Sequence, residues 1–452
     1  MNRTQIAALK LPAHLRRHVV TQDYGAYTPQ DQAVWRLIVG QLKAHLEGKA
    51  HPEYLRGLEA TGIRSDAIPS LDEMNEKLAA LGWSAVAVRG FLPPAVFTEL
   101  QTLGVLAIAC DIRGKDHLAY TPAPDIVHES AGHAPIIANA RYAEYLKACG
   151  RVGFKAIASV EDEAMFEAIR TLSVVKESPS ATPEDISHAE ARLRETAASR
   201  RYASESTRAS RLYWWTAEYG LIGSLDAPKI YGAGILSSLG EAEHCLTEAV
   251  RKVPLGLSCT ETDFDITTMQ PQLFVARDFE HLFDVLADFE ATLAWKRGGD
   301  FGLDEAIRAR TVNHVVLADG LEITGKVVSR VASNHELAPG LGTALARIDG
   351  PVMVSRNGVA LSSPRAGEAL VIFGTATLPD RGAFSLKLES GLSLDGFAVG
   401  GGEAVNLRAT LAGEKLDLPS RALVFASTAL PSVAGGPADP ETWDRWFGEL
   451  RN

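Results

Sequence analysis

Along the first 300 residues the apolar positions recur at helical spacing. Thr28-Pro29 reads as an N-cap followed by proline at the first helical position, and Val34, Ile38, Leu42 and Leu46 then repeat every four residues. Ser70 and Glu73 have the spacing of a capping box, opening a helix that stops near Gly82. Met165, Phe166, Ile169 and Leu172 form another amphipathic stripe. The stretch 178–206, "SPSATPEDISHAEARLRETAASRRYASES", is polar throughout and predicts a solvated helix and loop inserted into a domain. A further helix is expected from Asp278 to Lys296. Beyond residue 310 the pattern changes to short β-branched runs broken by Gly, Asp and Asn, such as "HVVLADGLEITGKVVSRV", "GPVMVSRNGVALSS" and "EALVIFGTATL". These predict a small antiparallel β domain. The tail "DPETWDRWFGELRN" predicts a short helix that packs Trp443, Trp446 and Phe447.

Composition sharpens the boundary. All ten tyrosines lie at or before Tyr231, and residues 307–436 hold neither Tyr nor Trp. With the glycine-rich "KRGGDFG" at 296–302, this divides the chain into a mainly helical domain, 1–300, and a β-rich domain, 301–452. The net charge of −11 argues against nucleic acid or an anionic membrane as partner, since both recruit an excess of Lys and Arg. No apolar run approaches the ~18 residues of a membrane span, and the N-terminus lacks a signal-peptide pattern. The four cysteines form no C-x-x-C pair, which fits a reducing cytosol and a cytoplasmic protein.

The segment "PDIVHESAGHAP" (124–135) carries the candidate chemistry. His128 and His133 are five apart. On an α-helix each residue advances by about 100°, so positions four apart share a face and positions five apart lie roughly 140° apart. The H-E-x-x-H zinc-protease pattern therefore fails by one residue. Two imidazoles at this spacing converge if they reach around a helix end. Gly132 would clear the way and Pro135 would end or distort the helix. Two histidines alone are more often satisfied by ordinary hydrogen bonds, so a third donor is needed. "LYWWTAEYGLIG" (212–223) supplies Glu218, the one acid in a twelve-residue apolar stretch. A buried carboxylate is paired, protonated or metal-bound, and a pair with Arg211 is the rival arrangement. Two imidazoles and one carboxylate suit the facial triad of non-haem Fe(II) oxygenases, and equally a zinc ion with one water.

At these residues the chain resembles the pterin-dependent aromatic amino acid hydroxylases, and among them the bacterial phenylalanine hydroxylase-like members. The matching pieces follow family order from about residue 20 to 297: "YTPQDQAVW", "IPSLDEMNEKLAALGW", "VRGFLPPAVFTEL", "DIRGKDHLAYTPAPDIVHESAGHAPII", "YWWTAEYGLIG", "KIYGAGILSSLGEAEHCL" and "FDITTMQPQLFV". The resemblance implies a mainly α catalytic domain of that type. It implies a monooxygenase acting on the ring of an aromatic amino acid, with O2, Fe(II) and a tetrahydropterin (tetrahydrobiopterin or a bacterial analogue). His128, His133 and Glu218 would hold the iron. Gly90, Leu92 and Phe97 would line the pterin, Phe97 stacking on its ring, with Glu129 between pterin and iron. Arg113 would grip the substrate carboxylate. Thr121, Pro124, Trp214, Tyr219 and Gly234 would shape the aromatic pocket, and Ser237 would bond near His128. Phenylalanine is the expected substrate by analogy alone.

Three departures stand out. Ala107 occupies a position where some members carry a histidine near the pterin. The 85 residues from His133 to Glu218 exceed the interval of compact members, the polar stretch 178–206 accounting for much of it. Residues 300–452 do not resemble a tetramerisation helix, so the oligomeric state stays open. Two alternatives remain at this point: a zinc hydrolase with Glu129 as general base, and a metal-binding or interaction protein without catalysis.

Overall fold

The computed structural model describes residues 3–114, 118, 124–178, 180–266, 268–338 and 340–447. The chain forms two compact units. The first comprises 1–154, 163–203 and 207–290; the second comprises 155–162, 204–206 and 291–452.

The first unit is mainly helical. Thr28 caps the helix Pro29–Leu46 through a reciprocal capping box with Asp31, and Val34, Ile38, Leu42 and Leu46 are all buried on its inner face. The helix Leu71–Leu78 forms where expected, but its N-cap Ser70 makes no side-chain capping bond. It runs into a turn closed by Gly82, whose φ of 71° favours glycine. Helix Val160–Glu177 carries the stripe around Leu172. The polar stretch folds as the helix Pro183–Ser199, with Ala189 its one buried residue. The helix expected over 278–296 is broken. Phe279–Glu290 is separated from Ala294–Arg297 by residues 291–293, the last of which, Leu293, has extended backbone angles.

Two small sheets brace these helices. Strands Ser84–Val88 and Val105–Ala109 pair in parallel. Their inward residues Val86, Val88, Val105 and Ala107 join Leu11, Leu15 and Leu100 in one core, with Leu92 and Val96 packed against it. Ala107 is thus a core residue at the foot of the segment that carries Gly90 and Phe97. The second sheet runs Lys229–Ile230, Leu221–Ile222, Gln272–Ala276, Arg251–Pro254.

The second unit is rich in sheet. Eleven strands join one sheet, whose path starts at Arg381–Lys387 and ends at Ser432–Gly435. Most neighbours are antiparallel, but Ala369–Phe373 runs parallel to Arg421–Ser427. That strand is buried along its whole length. Ala369, Val371 and Phe373 enter one core and Leu370 and Ile372 another, the alternation a strand covered on both faces requires. The region also carries the helix Gly299–Ala309, whose Leu303, Ala306 and Ala309 pack into the first of these cores. Helix Pro440–Phe447 ends the described chain. Trp443 and Phe447 meet at 4.6 Å, but Trp446 is exposed rather than packed. Among the described residues no helix is long and apolar enough to cross a membrane, and all four cysteines are free.

Candidate metal centre and its aromatic surroundings

The segment that bears the histidines is neither a regular α-helix nor a helix end. Residues Val127–His133 form a π-helix, and the chain continues without interruption into the short helix Ala134–Ile136. Closure of backbone bonds between residues five apart brings positions five apart onto one face. This is the physical answer to the His128–His133 spacing, and it replaces the expected helix end. Gly132 also acts differently from expectation. A Cβ there would approach Ala233 O to 2.7 Å, so the glycine lets the π-turn lie against the helix Ala233–Leu236 rather than clearing a path for imidazoles. Gly57 does the same on the other side, where a Cβ would meet Pro135 O at 1.9 Å. Tyr54 closes the packing by donating to Ala131 O at 3.1 Å.

Glu218 arrives from a second π-helix, Trp214–Glu218, which continues the helix Glu205–Tyr213. Thr216 anchors that turn, donating to Leu212 O and receiving the Tyr145 hydroxyl at 2.8 Å. Arg211 does not pair with Glu218. Its guanidinium donates to Asp263 and to Thr260 O, which removes the rival arrangement.

Among the described residues, His128, His133 and Glu218 form the one group of three or more His, Cys, Asp or Glu whose ligand atoms gather closely, all within 4.8 Å of one another. His128 Nε2 lies 3.3 Å from Glu218 Oε2, His133 Nε2 lies 3.1 Å from Oε1, and the two Nε2 atoms are 3.2 Å apart. Metal bonds of about 2.1 Å give ligand–ligand edges of about 3.0 Å on an octahedral face and about 3.4 Å on a tetrahedron, so the spacing fits a single ion. The rings stand at 88°, with both Nε2 atoms close enough to Glu218 and to each other to reach one ion. His128 Nδ1 is 3.0 Å from Ser237 Oγ. That contact, which the family resemblance implies, engages the outer nitrogen and leaves Nε2 facing inward. Burial alone would raise the Glu218 carboxyl, but the two imidazoles outweigh it and hold it well below the usual carboxylate range.

Glu129, between the histidines, makes no contact of this kind among the described residues. Burial pushes its carboxyl up to about 8, against the pull of His133 and with added repulsion from Glu218 and Asp125. A cation on the three ligands would draw it back down.

Arg113 is buried and already paired. Its Nε and Nη2 grip Asp125 at 2.8 and 2.7 Å, and Nη1 donates to Ser237 O at 3.1 Å. Asp125 also accepts from His128 N at 3.0 Å. Burial would raise the Asp125 carboxyl, yet Arg113 and these N–H donors hold it below its usual range. One carboxylate thereby ties the arginine to the start of the π-turn. Nothing in the local sequence announces this pairing.

Trp214 lies in a stack of three rings, 4.5 Å from Tyr219 and 4.2 Å from Phe264. Gly234 makes room for it, since a Cβ there would come within 2.7 Å of the Tyr219 ring. Trp214 Nε1 donates to Gln270 Oε1 at 3.4 Å. The sequence marks Phe264 and Gln270 only as an aromatic and an amide at either end of a polar stretch. Pro124 is half-buried just before the π-turn. Thr121 lies outside the described residues.

On the other side, Gly90 has a φ of 66°, and Phe97 sits on the helix Pro94–Thr102. The Phe97 ring meets Tyr213 edge-on at 5.5 Å, and Tyr213 is stacked 6.4 Å from His133. Tyr213, missed in the sequence, therefore joins the Phe97 side to a metal-ligand candidate.

The family model for biopterin-dependent aromatic amino acid hydroxylases matches residues 5–170 and 196–302, more than half of the chain. The chain belongs to that family. The unmatched interval overlaps the exposed helix Pro183–Ser199. The phenylalanine-4-hydroxylase of Chromobacterium violaceum is 31% identical over 269 residues, spanning 59% of this chain and 76% of that protein. The Pseudomonas aeruginosa phenylalanine-4-hydroxylase is 31% identical over 280 residues, spanning 61% and 89%. A crystal structure of the C. violaceum enzyme with bound iron(III) and 7,8-dihydrobiopterin aligns with a TM-score of 0.49 at 29% identity, over 64% of this chain and 90% of that one.

Proposed function

We propose that this protein is a phenylalanine 4-monooxygenase that uses O2, iron(II) and a reduced pterin. The observation that carries the reading is the convergence of His128 Nε2, His133 Nε2 and a Glu218 carboxylate in an aromatic setting, within a chain of this family. Membership of the family weighs against the zinc hydrolase and against a protein without catalysis. The relatives' activity supplies phenylalanine and the 4-position.

In this reading His128, His133 and Glu218 hold the iron on one face, with Ser237 fixing the His128 ring. Bound together, iron(II) and the reduced pterin activate O2: one oxygen atom enters the ring and the pterin takes up the other, giving two electrons. The chain's own residues bind, orient and keep water out. Phe97 stacks on the pterin, Gly90 and Leu92 line it, and Glu129 stands between it and the metal. Arg113 receives the substrate carboxylate. Three of its five N–H groups are engaged by Asp125 and Ser237, so the guanidinium is held in place before substrate arrives, which lowers the ordering cost of binding. Trp214, Tyr219, Gly234, Pro124 and Thr121 shape the pocket for the ring. All these residues fall in the catalytic unit assigned to 1–300; the sheet-rich 301–452 has no assigned part in the chemistry.

The test is anaerobic metal analysis followed by a pterin-dependent assay on phenylalanine, tyrosine and tryptophan. Iron retention with tyrosine formed from phenylalanine supports the reading. Zinc retention, or pterin-independent activity, overturns it.

A further inference from the structure

Phe97 and Gln101 are four apart on the helix Pro94–Thr102 and turn toward the same neighbour, Tyr213. Phe97 meets the Tyr213 ring edge-on, at 87°. Gln101 Nε2 donates to the Tyr213 hydroxyl at 3.0 Å. The Tyr213 ring also lies 6.4 Å from His133, the two ring planes 28° apart. Tyr213 is therefore held at its hydroxyl by the same helix face whose phenylalanine is assigned to the pterin, while its ring lies along a metal ligand.

Gln101 is a costly residue for this place. It is only 4% exposed, and its Oε1 is buried without a hydrogen-bond partner among the described residues. A buried amide that satisfies only one end loses free energy relative to an apolar side chain of the same volume. Its neighbour Leu100 is likewise buried, and apolar. Packing alone does not call for glutamine. What glutamine adds is the single bond to Tyr213.

We propose that Gln101 is a positioning residue. By pinning the Tyr213 hydroxyl it fixes the wall between the pterin subsite and His133, and so sets the fraction of oxidised pterin that yields hydroxylated amino acid. The inference rests on the function proposed above. A ring held by packing alone can tilt about its long axis and shift at its free end. Such a tilt moves the Phe97 contact and the His133 contact together, because both rings bear on Tyr213.

The test compares Gln101→Met, which keeps volume and removes the bond, Tyr213→Phe, which removes the same bond from the other end, and the double variant. Four quantities are read: iron content, melting temperature, the equilibrium Kd for 7,8-dihydrobiopterin measured by calorimetry on the iron-loaded protein, and product formed per tetrahydropterin consumed. Gln101→Met is expected to keep its iron and to melt at or above the wild-type temperature. Its Kd should rise about two- to tenfold, the worth of one hydrogen bond, and its product ratio should fall. Tyr213→Phe should match it in Kd and product ratio but melt lower, because the buried Gln101 amide is then left with neither end bonded, and the double variant should be no worse in Kd and product ratio than either single one, because both remove one interaction. Wild-type Kd and product ratio in Gln101→Met overturn the inference. So do additive losses accompanied by a lower melting temperature in Gln101→Met, which mark a structural role. If the wild-type protein shows no pterin-dependent turnover, the proposed function falls and this inference falls with it; normal wild-type coupling with an unaffected variant removes Gln101 alone.

Discussion

Glu241 offers a stability measurement that can be worked from the structure in advance. Its side chain is fully buried. Oε1 accepts from Gln270 N at 3.1 Å, while Oε2 has no partner among the described residues. Burial pushes the carboxyl from an ordinary 4.5 up to about 7, the Gln270 N–H only partly offsetting it. Below an ordinary carboxylate pKa, folded and unfolded chains both carry the proton. Between there and about pH 7 the unfolded chain has lost it and the folded chain keeps it, so the unfolded state binds fewer protons and stability falls as pH rises. At 1.36 kcal/mol per pH unit the loss is about 3 kcal/mol, complete above pH 7. Glu241→Gln keeps the acceptor for Gln270 and has nothing to titrate. Melting temperatures of metal-free wild type and variant, followed by tryptophan fluorescence from pH 5 to 8.5, should diverge as pH rises. At 2–4 °C per kcal/mol for a unit of this size, the variant should gain roughly 6–12 °C on the wild type across that range. Parallel curves would refute the reasoning, and would mean that water or a rearranged Gln270 satisfies the charged form. Gln270 also holds Trp214, so a wild-type protein at high pH should show a loosened Trp214 environment that the variant lacks.

Other outcomes follow from the site. Alanine at His128, His133 or Glu218 should each remove most bound iron(II), whereas Glu129→Gln should keep the metal and impair pterin-coupled turnover; full iron occupancy in Glu218→Ala would mean that another carboxylate closes the site. Arg113→Ala should raise KM for the amino acid by an amount equivalent to about 2–5 kcal/mol with iron content unchanged, and should lower the melting temperature because Asp125 is left buried and unpaired, a loss of about 3–5 kcal/mol in comparable cases. An unchanged KM would take Arg113 out of the substrate site. A chain cut after residue 303 should retain pterin-dependent turnover but melt lower, since Ala158 O loses the Thr311 hydroxyl and Glu161 loses Arg310; a folded but inactive product would give the remainder a part in the site.

The candidate ligands are legible because each breaks its local pattern. A glutamate in an apolar, aromatic stretch and two histidines near a proline are residue types that folding alone does not ask for. The helix Pro29–Leu46 is legible because capping chemistry and apolar periodicity agree at Thr28, Pro29 and the buried stripe. Other features depend on contacts between distant parts of the chain. Nothing near Arg211 announces that it will reach Asp263, and nothing near Gly132 announces the Ala233 backbone against it. The π-turns were hidden for a different reason. Apolar periodicity is read against 3.6 residues per turn, and a seven-residue departure from it is too short to alter the pattern around it. The spacing of His128 and His133 is the one visible trace, and the proline that follows points instead to a helix end. The break at Leu293 inside the expected 278–296 helix carries no glycine or proline to mark it.

That π-turn has an evolutionary reading. A π-turn holds one residue more than the α-turn it replaces. Deleting any one of Ser130, Ala131 or Gly132 would leave the chain spelling H-E-x-x-H, the zinc-protease pattern in which two imidazoles four apart share an ordinary α-helix and the glutamate serves as base. The histidine pair here and that other histidine pair are thus separated by a single codon, and the same glutamate stands in both. Loss of that codon would not simply convert one chemistry into the other, because Gly132 is fitted against Ala233 and the Asp125 carboxylate is tied to both His128 N and Arg113. The surrounding packing therefore acts as a ratchet on the reading frame of the turn: a one-residue slip in either direction would have to undo contacts on both of its flanks before a new metal geometry could form.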